Sequence, residues 1–362
     1  MRLRAAMLVV AVVGAAAAAV GIDVRASYGA HVTGDEPQYL LTAISIGEDL
    51  SLDVSDEIRA RRYLPFHEIT IDPQSRPLDA RGTLISPHDP LLPALLALPM
   101  RAGGWIGAKW ALAVTAGVLA AALLWVAVRR FGVGLATASI TTAVFAASSP
   151  FAVYGNQVYP EIPAALCTTI GIGALTGRLR RAGMVALWAS IVALPNLSIK
   201  YVPVAAALAA VGLVRLWRAD RSRHALMLGA AFATAAAAFV AAHLAWYGGL
   251  TPYAVGDHFT AGEFTVVGTA PNLAGRSARL IGLLVDREFG LAAWQPAWLL
   301  VIPAVAALAR ARPPGWGTVI VPLAMGWLNA AFVALTMHGW WWPGRQTVVV
   351  LPAATLAIAW WA

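Results

Sequence analysis

The stretch Thr33-Gly34-Asp35-Glu36-Pro37-Gln38-Tyr39-Leu40 decides how the rest of the chain is interpreted. It places two adjacent carboxylates, Asp35 and Glu36, shortly after the first apolar run of a chain that is otherwise rich in hydrocarbon. Ionisable groups this close to a membrane are costly to keep there, so they are candidates for chemistry. The ordinary alternative is a helix start, with Asp35 as the N-cap and Pro37 in the first turn.

The composition indicates a polytopic membrane protein. Of the 362 residues, 59% are hydrophobic and 12% are charged, and the mean hydropathy is +0.69. Soluble domains carry about 25% charged residues. The net charge is +8, but the basic residues lie between apolar runs instead of on one face, so we expect no nucleic-acid partner. The single cysteine, Cys167, cannot form an internal disulfide.

Apolar runs recur along the whole chain. A helix that crosses about 30 Å of hydrocarbon needs roughly 20 residues. We therefore predict an all-α, polytopic fold of about ten transmembrane helices in one domain covering 1–362. An alternative for the first run is a signal peptide, because Val24-Arg25-Ala26 resembles a cleavage site. The predicted spans are 5–22, 105–128, 134–149, 162–177, 184–195, 202–217, 225–247, 291–309, 317–336 and 347–362.

The segment 23–104 differs from the rest because it is polar and interrupted by prolines. It predicts a long first extracytoplasmic loop. Three stretches within it, 36–48, 55–63 and 90–100, predict short juxtamembrane helices that lie along the membrane surface.

The distribution of arginine predicts the orientation, because cytoplasmic loops retain Lys and Arg. With the N-terminus in the cytoplasm, the arginine-rich links 129–133, 178–183, 215–224 and 310–316 all fall on the cytoplasmic side. Every acidic residue except Asp220 then falls outside. We predict a multi-pass protein of the plasma (inner) membrane whose active site is extracytoplasmic.

Under this topology, ionisable and aromatic groups gather at the outer ends of the predicted helices. Each has an ordinary interpretation: Lys200 and Arg345 as interfacial anchors, and His88 and His338 as loop histidines, since no spacing resembles a zinc site. Their convergence on one side of the predicted membrane favours a functional site. The candidate residues are Asp35, Glu36, His88, Asp89, Tyr159, Glu161, Lys200, His338 and Arg345.

The order of an apolar first helix, an acidic pair in a long outer loop, juxtamembrane helices and many spans resembles the GT-C membrane glycosyltransferases. The likeness is to the protein O-mannosyltransferase and aminoarabinose transferase type. The local strings that carry it are Gly34-Asp35-Glu36-Pro37-Gln38-Tyr39, Tyr159-Pro160-Glu161-Ile162-Pro163, Asp286-Arg287-Glu288-Phe289-Gly290-Leu291 and Pro343-Gly344-Arg345. The first string is moderately specific, and the other three are weak alone. The family usually has further C-terminal spans or a soluble domain beyond these strings.

The resemblance implies transfer of a sugar from a polyprenyl-phosphate carrier to a lipid, glycan or protein acceptor outside, usually with inversion. By position, Asp35 takes the family's role of catalytic base, Glu36 is its acidic neighbour, and Glu161 is the second acidic residue of the cavity. His88, Asp89, Tyr159 and His338 are candidates to line that cavity. A divalent cation is compatible with such a site, but no ligand set can be assigned from the sequence.

The physical chemistry of transfer agrees with these roles. An acceptor hydroxyl loses a proton as it attacks, so a positioned carboxylate accelerates the step by roughly 10²–10⁴-fold. The leaving phosphate gains negative charge, which Lys200 and Arg345 are suited to stabilise.

The main alternative function is that of a transporter or flippase for a lipid-linked substrate, which would carry broken-helix sites near the midplane of the membrane and an internal repeat. A third alternative is a non-catalytic membrane scaffold or a truncated homologue.

Overall fold

The computed structural model describes residues 2–256, 272–334, 337 and 342–362. Within these ranges the chain is helical and contains four isolated β-bridges but no regular strand. The predicted all-α class is therefore confirmed. The α-helices are α1 Leu3–Ala19, α2 Glu36–Asp49, α3 Ser55–Arg59, α4 Leu91–Phe131, α5 Leu135–Ala146, α6 Phe151–Tyr154, α7 Glu161–Leu175, α8 Arg181–Leu197, α9 Val202–Arg218, α10 Ser222–Tyr247, α11 Leu273–Ser277, α12 Arg279–Val285, α13 Leu291–Trp294, α14 Val301–Ala311, α15 Gly317–Leu328 and α16 Leu351–Trp361.

Three helical segments are long and apolar enough to cross a membrane: Leu91–Phe131, Ile199–Arg218 and Ser222–Val255. Shorter apolar helices of 10–17 residues accompany them, including Leu3–Ala19 and Glu161–Leu175. These segments coincide with predicted apolar runs. The total of ten spans stays a prediction.

Helix α4 is the central element and packs against α1, α2, α5 and α7. Its contact with α1 is close, because a Cβ added at Gly117 would lie 2.6 Å from the carbonyl oxygen of Ala11. The helix bends at Gly103 and Gly104, where Gly104 adopts a positive φ of 61°. That φ favours glycine. The bend separates the segment predicted as juxtamembrane, 90–100, from the predicted span 105–128.

Helix α16 is buried on all sides, with Leu351 through Ala359 shielded from solvent. It contacts α4, α5, α7, α14 and α15. A helix that is hydrophobic all round belongs in the interior of a bundle. This placement explains why the predicted run 347–362 carries no charged residue after Arg345.

The prediction of one continuous helix over 291–309 is wrong. The run is divided into α13, a 3₁₀ turn over Pro296–Leu300, and α14. Gln295 is extended, with φ −145° and ψ 93°, because the residue before a proline is kept out of the α-helical region. Similarly, α3 ends at Arg59 and not at 63, and Arg61 takes a positive φ of 53°.

The first loop packs onto the helices as an ordered layer. Its side chains Val54, Tyr63 and Phe66 are buried in the main hydrophobic cluster. Backbone hydrogen bonds tie the layer together, with Val54 N–H donating to Leu84 O at 2.8 Å and His31 N–H to Phe66 O at 3.1 Å. This layer covers the start of α2, where the acidic pair lies.

The arginine-bearing links meet at one end of the helices. Arg215, near the end of α9, donates to the carbonyl of Gly177 beyond α7 at 2.7 Å. Gly177 in turn lies against Arg130 at the end of α4, and Gly315 lies against Thr176. Because α7 begins at Glu161 and rises about 1.5 Å per residue, the carboxylates and the arginine-bearing links lie at opposite ends.

Candidate active site

The acidic pair lies at the beginning of α2, with Asp35 as the residue before the first helical turn. Glu36 is 3% exposed, and both of its oxygens are used. One accepts from Val158 N–H at 2.7 Å and the other from Thr33 N–H at 3.1 Å. Glu36 therefore fastens the segment between α6 and α7 to the segment between α1 and α2. Asp35 makes no side-chain capping bond to the helix, so its carboxylate points elsewhere.

Four charged side chains from distant parts of the sequence form one continuous chain of contacts. Asp35 Oδ2 accepts from Arg345 Nη2 at 3.1 Å. The Nε of Arg345 donates to Glu161 Oε1 at 2.9 Å, and Lys200 Nζ donates to the same oxygen at 2.6 Å. The order is thus Asp35, Arg345, Glu161, Lys200, with alternating charge.

The two ends of this chain are accessible, and its middle is not. The Asp35 and Lys200 side chains are 27% and 22% exposed, whereas Arg345 and Glu161 are 7% and 0% exposed. A molecule that enters from outside therefore meets a carboxylate and an ammonium group held apart by a buried ion pair. Separating the partners of a buried ion pair would leave uncompensated charges in the interior. The pair therefore holds the Arg345 and Glu161 side chains in fixed positions.

Aromatic side chains hold the central arginine in place. The Arg345 guanidinium lies over the ring of Tyr159, 3.9 Å from its centroid, in a cation–π contact. Tyr159 makes an edge contact with Tyr39, whose ring stacks on His88 at a centroid distance of 4.5 Å. Arg345 thus has a defined orientation relative to both carboxylates.

Gln74 connects Asp35 to His88. Its Nε2 donates to Asp35 Oδ1 at 3.4 Å, and its Oε1 lies 3.1 Å from His88 Nε2. Burial lowers the pKa of His88, and the positive charges of Arg345 and Lys200 lower it further against the opposing effect of Asp35. A neutral His88 donates its Nε2 proton to Gln74, which leaves the Gln74 amide to donate to Asp35.

The pKa of Asp35 is lowered from its ordinary value. Burial alone would raise it, but the charge of Arg345 and the hydrogen bonds from Arg345 and Gln74 outweigh burial. Asp35 is therefore an ionised carboxylate at neutral pH. Burial raises the pKa of its neighbour Glu36, against Lys109 and the two backbone donors. The two adjacent acids thus have different environments.

Asp89 lies beside this chain and holds helices together. Its Oδ2 accepts from Ile199 N–H at 2.8 Å, and its Oδ1 lies 3.0 Å from His243 Nε2. Asp89 is 3% exposed. It therefore fixes the segment that carries Lys200 against α10.

The structure brings most of the predicted site residues together. Asp35, Glu161, Lys200, Arg345 and Tyr159 make direct contacts, and His88 joins through Gln74. Glu36 and Asp89 bind backbone at the border of the group, and His338 lies outside the described residues.

Sequence reasoning missed Gln74 and His243. Gln74 lies in a loop with no local signal. His243 did have a signal in the sequence, because an ionisable residue inside an apolar helix is uncommon.

Among the described residues, one carboxylate group has the spacing of a cation site: Asp49, Asp56 and Glu57, with oxygens within 4.8 Å of one another. It lies at the far end of α2 from Asp35, and two of its three members are exposed. The proposed chemistry at Asp35 does not use it.

No family model matches the chain, and no curated protein matches it. Among solved structures, the chain is similar to ArnT from Cupriavidus metallidurans bound to undecaprenyl phosphate. The TM-score is 0.61 at 14% identity, and the match covers 97% of this chain and 59% of that one. The chain therefore spans about three fifths of the ArnT structure. ArnT is an aminoarabinose transferase with the GT-C fold, so the predicted GT-C-like fold is confirmed.

Proposed function

We propose that this protein is a membrane glycosyltransferase that moves a sugar from a polyprenyl-phosphate donor to an acceptor on the extracytoplasmic face. The observation that carries the proposal is the contact chain Asp35, Arg345, Glu161, Lys200, which presents a carboxylate at one accessible end and an ammonium group at the other. The ArnT structure of similar fold holds undecaprenyl phosphate, which supports a lipid-phosphate donor.

The reaction needs a base and a counter-charge, and the site has both. The acceptor oxygen attacks the anomeric carbon, the new C–O bond forms, and the bond from that carbon to the phosphate oxygen breaks. Asp35 receives the acceptor proton. Polyprenyl phosphate leaves with increased negative charge. The Lys200 ammonium group contacts this charge directly, and the buried Arg345 guanidinium stabilises it electrostatically. Direct attack inverts the configuration at the anomeric carbon.

Donor binding would also prepare the base. A phosphate that arrives between Lys200 and Arg345 adds negative charge near Asp35, and a nearby like charge raises a carboxyl pKa. A base is most effective when its pKa is close to the working pH. Arg345 keeps Asp35 ionised, and bound donor phosphate would make Asp35 more basic.

The test of the proposal is donor turnover by the purified protein in nanodiscs, measured as release of polyprenyl phosphate from a labelled polyprenyl-phosphate sugar. We expect turnover by the wild type. Arg345→Ala should reduce it more than Arg345→Lys, because lysine keeps the charge but cannot contact both carboxylates with a planar fork. A loss of on the order of 10²-fold for alanine is consistent with removing one charge-stabilising group.

The matched control is Arg287→Ala, since Arg287 is 90% exposed and lies on another outer segment. Its turnover should equal that of the wild type. If folded Arg345→Ala also turns over donor at the wild-type rate, Arg345 is an interfacial anchor and the assigned site is wrong. If the wild type moves labelled donor across sealed vesicles without releasing polyprenyl phosphate, the protein is a flippase.

A further inference from the structure

A cavity of about 300 Å³ lies at the end of the helices opposite to Asp35. It follows the C-terminal ends of α7 and α9, which begin near Glu161 and Lys200 at the candidate active site. At about 1.5 Å per residue, these helices separate the cavity from that site by roughly 20–25 Å. The cavity is lined by Arg178, Leu179, Arg180, Arg215, Leu216, Ala219 and Arg221.

Two of its four arginines are held in position by backbone carbonyls. Arg215 Nη2 donates to Gly177 O at 2.7 Å, and Arg221 Nη1 donates to Leu179 O at 2.8 Å. These bonds use one nitrogen of each guanidinium. Arg215 Nη1 is buried and has no hydrogen-bond partner within the described part of the chain. A buried donor without a partner costs free energy.

The charge around the cavity is of one sign. No acidic side chain lines it among the described residues, and Asp220, between Ala219 and Arg221, is not one of its lining residues. Arg130 approaches from α4, and its Nε is also buried without a partner among the residues described. Several guanidinium groups this close repel one another unless an anion lies between them.

We propose that this cavity binds a phosphate-type anion, at a site separate from the candidate active site. Guanidinium groups present paired donors that match phosphate oxygens. Leu179 and Leu216 give the cavity an apolar wall, and basic pockets between membrane helices suit anionic headgroups. The shared ligand chemistry is therefore a phosphate, carried by an anionic phospholipid or free in solution.

The test measures binding of short-chain phosphatidylglycerol, short-chain phosphatidylcholine and inorganic phosphate to the purified full-length protein in detergent. The test variant is Arg178→Gln with Arg180→Gln, because both side chains are exposed and their loss leaves the bonds of Arg215 and Arg221 intact. The control is Arg310→Gln, an exposed arginine in the last turn of α14 that does not line the cavity. Melting curves confirm that both variants fold.

We expect phosphatidylglycerol to bind more tightly than phosphatidylcholine. The double variant should lose about fivefold in affinity for each arginine removed, and the control should lose none. Displacement of the lipid by millimolar phosphate at constant ionic strength identifies free phosphate as a ligand. Binding that phosphate does not displace identifies the lipid headgroup as the ligand. Equal binding of the two lipids, or undiminished phosphatidylglycerol binding by the double variant, overturns the proposal.

Discussion

Arg345 is the residue that joins the two halves of the candidate site. Its guanidinium contacts Asp35 and Glu161 and stacks on Tyr159. The sequence separation between Asp35 and Arg345 is 310 residues, so no local pattern could have predicted the pairing. What the sequence did indicate is the presence of both side chains at the outer ends of predicted helices.

The first prediction at this scale concerns pH. The pKa of Asp35 is lowered in the free protein, mainly because the charge and the hydrogen bond of Arg345 outweigh burial, and donor phosphate should raise it. The acid limb of kcat/KM reports the free enzyme, and that of kcat reports the donor complex. We therefore expect activity to fall on acidification at a higher pH in the kcat profile than in the kcat/KM profile. Coincident limbs, measured with a soluble acceptor, would contradict the proposed effect of the phosphate.

Among the single elements, the short helix α3 in the segment 23–104 carries a carboxyl group with a strongly raised pKa. Glu57, in α3, is 3% exposed. Burial, with a hydrogen bond to Asp56, raises its pKa to about 8 from an ordinary 4.5. A folded-state pKa above the unfolded value means that the folded protein binds the extra proton. Its contribution to stability is complete below about pH 4.5 and is lost as pH rises to about 8.

The second prediction follows from this loss of stability with rising pH. Glu57→Gln should melt at a higher temperature than wild type at pH 8 and at nearly the same temperature at pH 5, in buffer that contains a chelator. The gain at pH 8 should be of the order of 1–3 kcal/mol. Asp79→Asn, in an exposed turn of the same loop, is the control and should show no such gain. A Glu57→Gln melting temperature that differs from wild type by the same amount at both pH values would refute the raised pKa.

Element boundaries were predictable where a local signal exists. The acidic pair and Pro37 predicted 36–48, and α2 covers Glu36–Asp49. The predicted boundary between the loop 23–104 and the span 105–128 falls where α4 bends, at Gly103 and Gly104. The run 291–309 was mistaken for one helix because its hydropathy is uniform, while Gln295 before Pro296 breaks it locally. Hydropathy reports burial in the membrane, whereas helix breaks depend on single residues.

At the scale of the whole molecule, the charges divide between two ends. Carboxylates and their partners lie where α7 begins, and the arginine-bearing links meet where α7 and α9 end. The sequence predicted this division, because arginines in alternate links follow the positive-inside rule. It could not predict that four of the arginines line one cavity, since that depends on how the helix ends pack.

The third prediction assigns the two ends to the two sides of the membrane. With Cys167 replaced by alanine, a cysteine at Ala80 should react with a membrane-impermeant thiol reagent in intact cells. A cysteine at Ser222 should react only after permeabilisation. Both positions are exposed in the structure, so accessibility of the side chain does not limit either reaction. The reverse labelling pattern would place the candidate site in the cytoplasm and contradict the topology.

If Asp35 accepts the proton of the acceptor hydroxyl, Asp35→Asn is the substitution that removes the base and little else. Asparagine keeps the size and shape of the side chain but cannot accept the proton. Sugar transfer from a polyprenyl-phosphate donor in nanodiscs should therefore fall by roughly 10²–10⁴-fold, with donor affinity nearly unchanged. Asp35→Glu should retain partial activity, because about one methylene of displacement costs on the order of 10²-fold. A folded Asp35→Asn protein that transfers sugar at the wild-type rate would contradict the account.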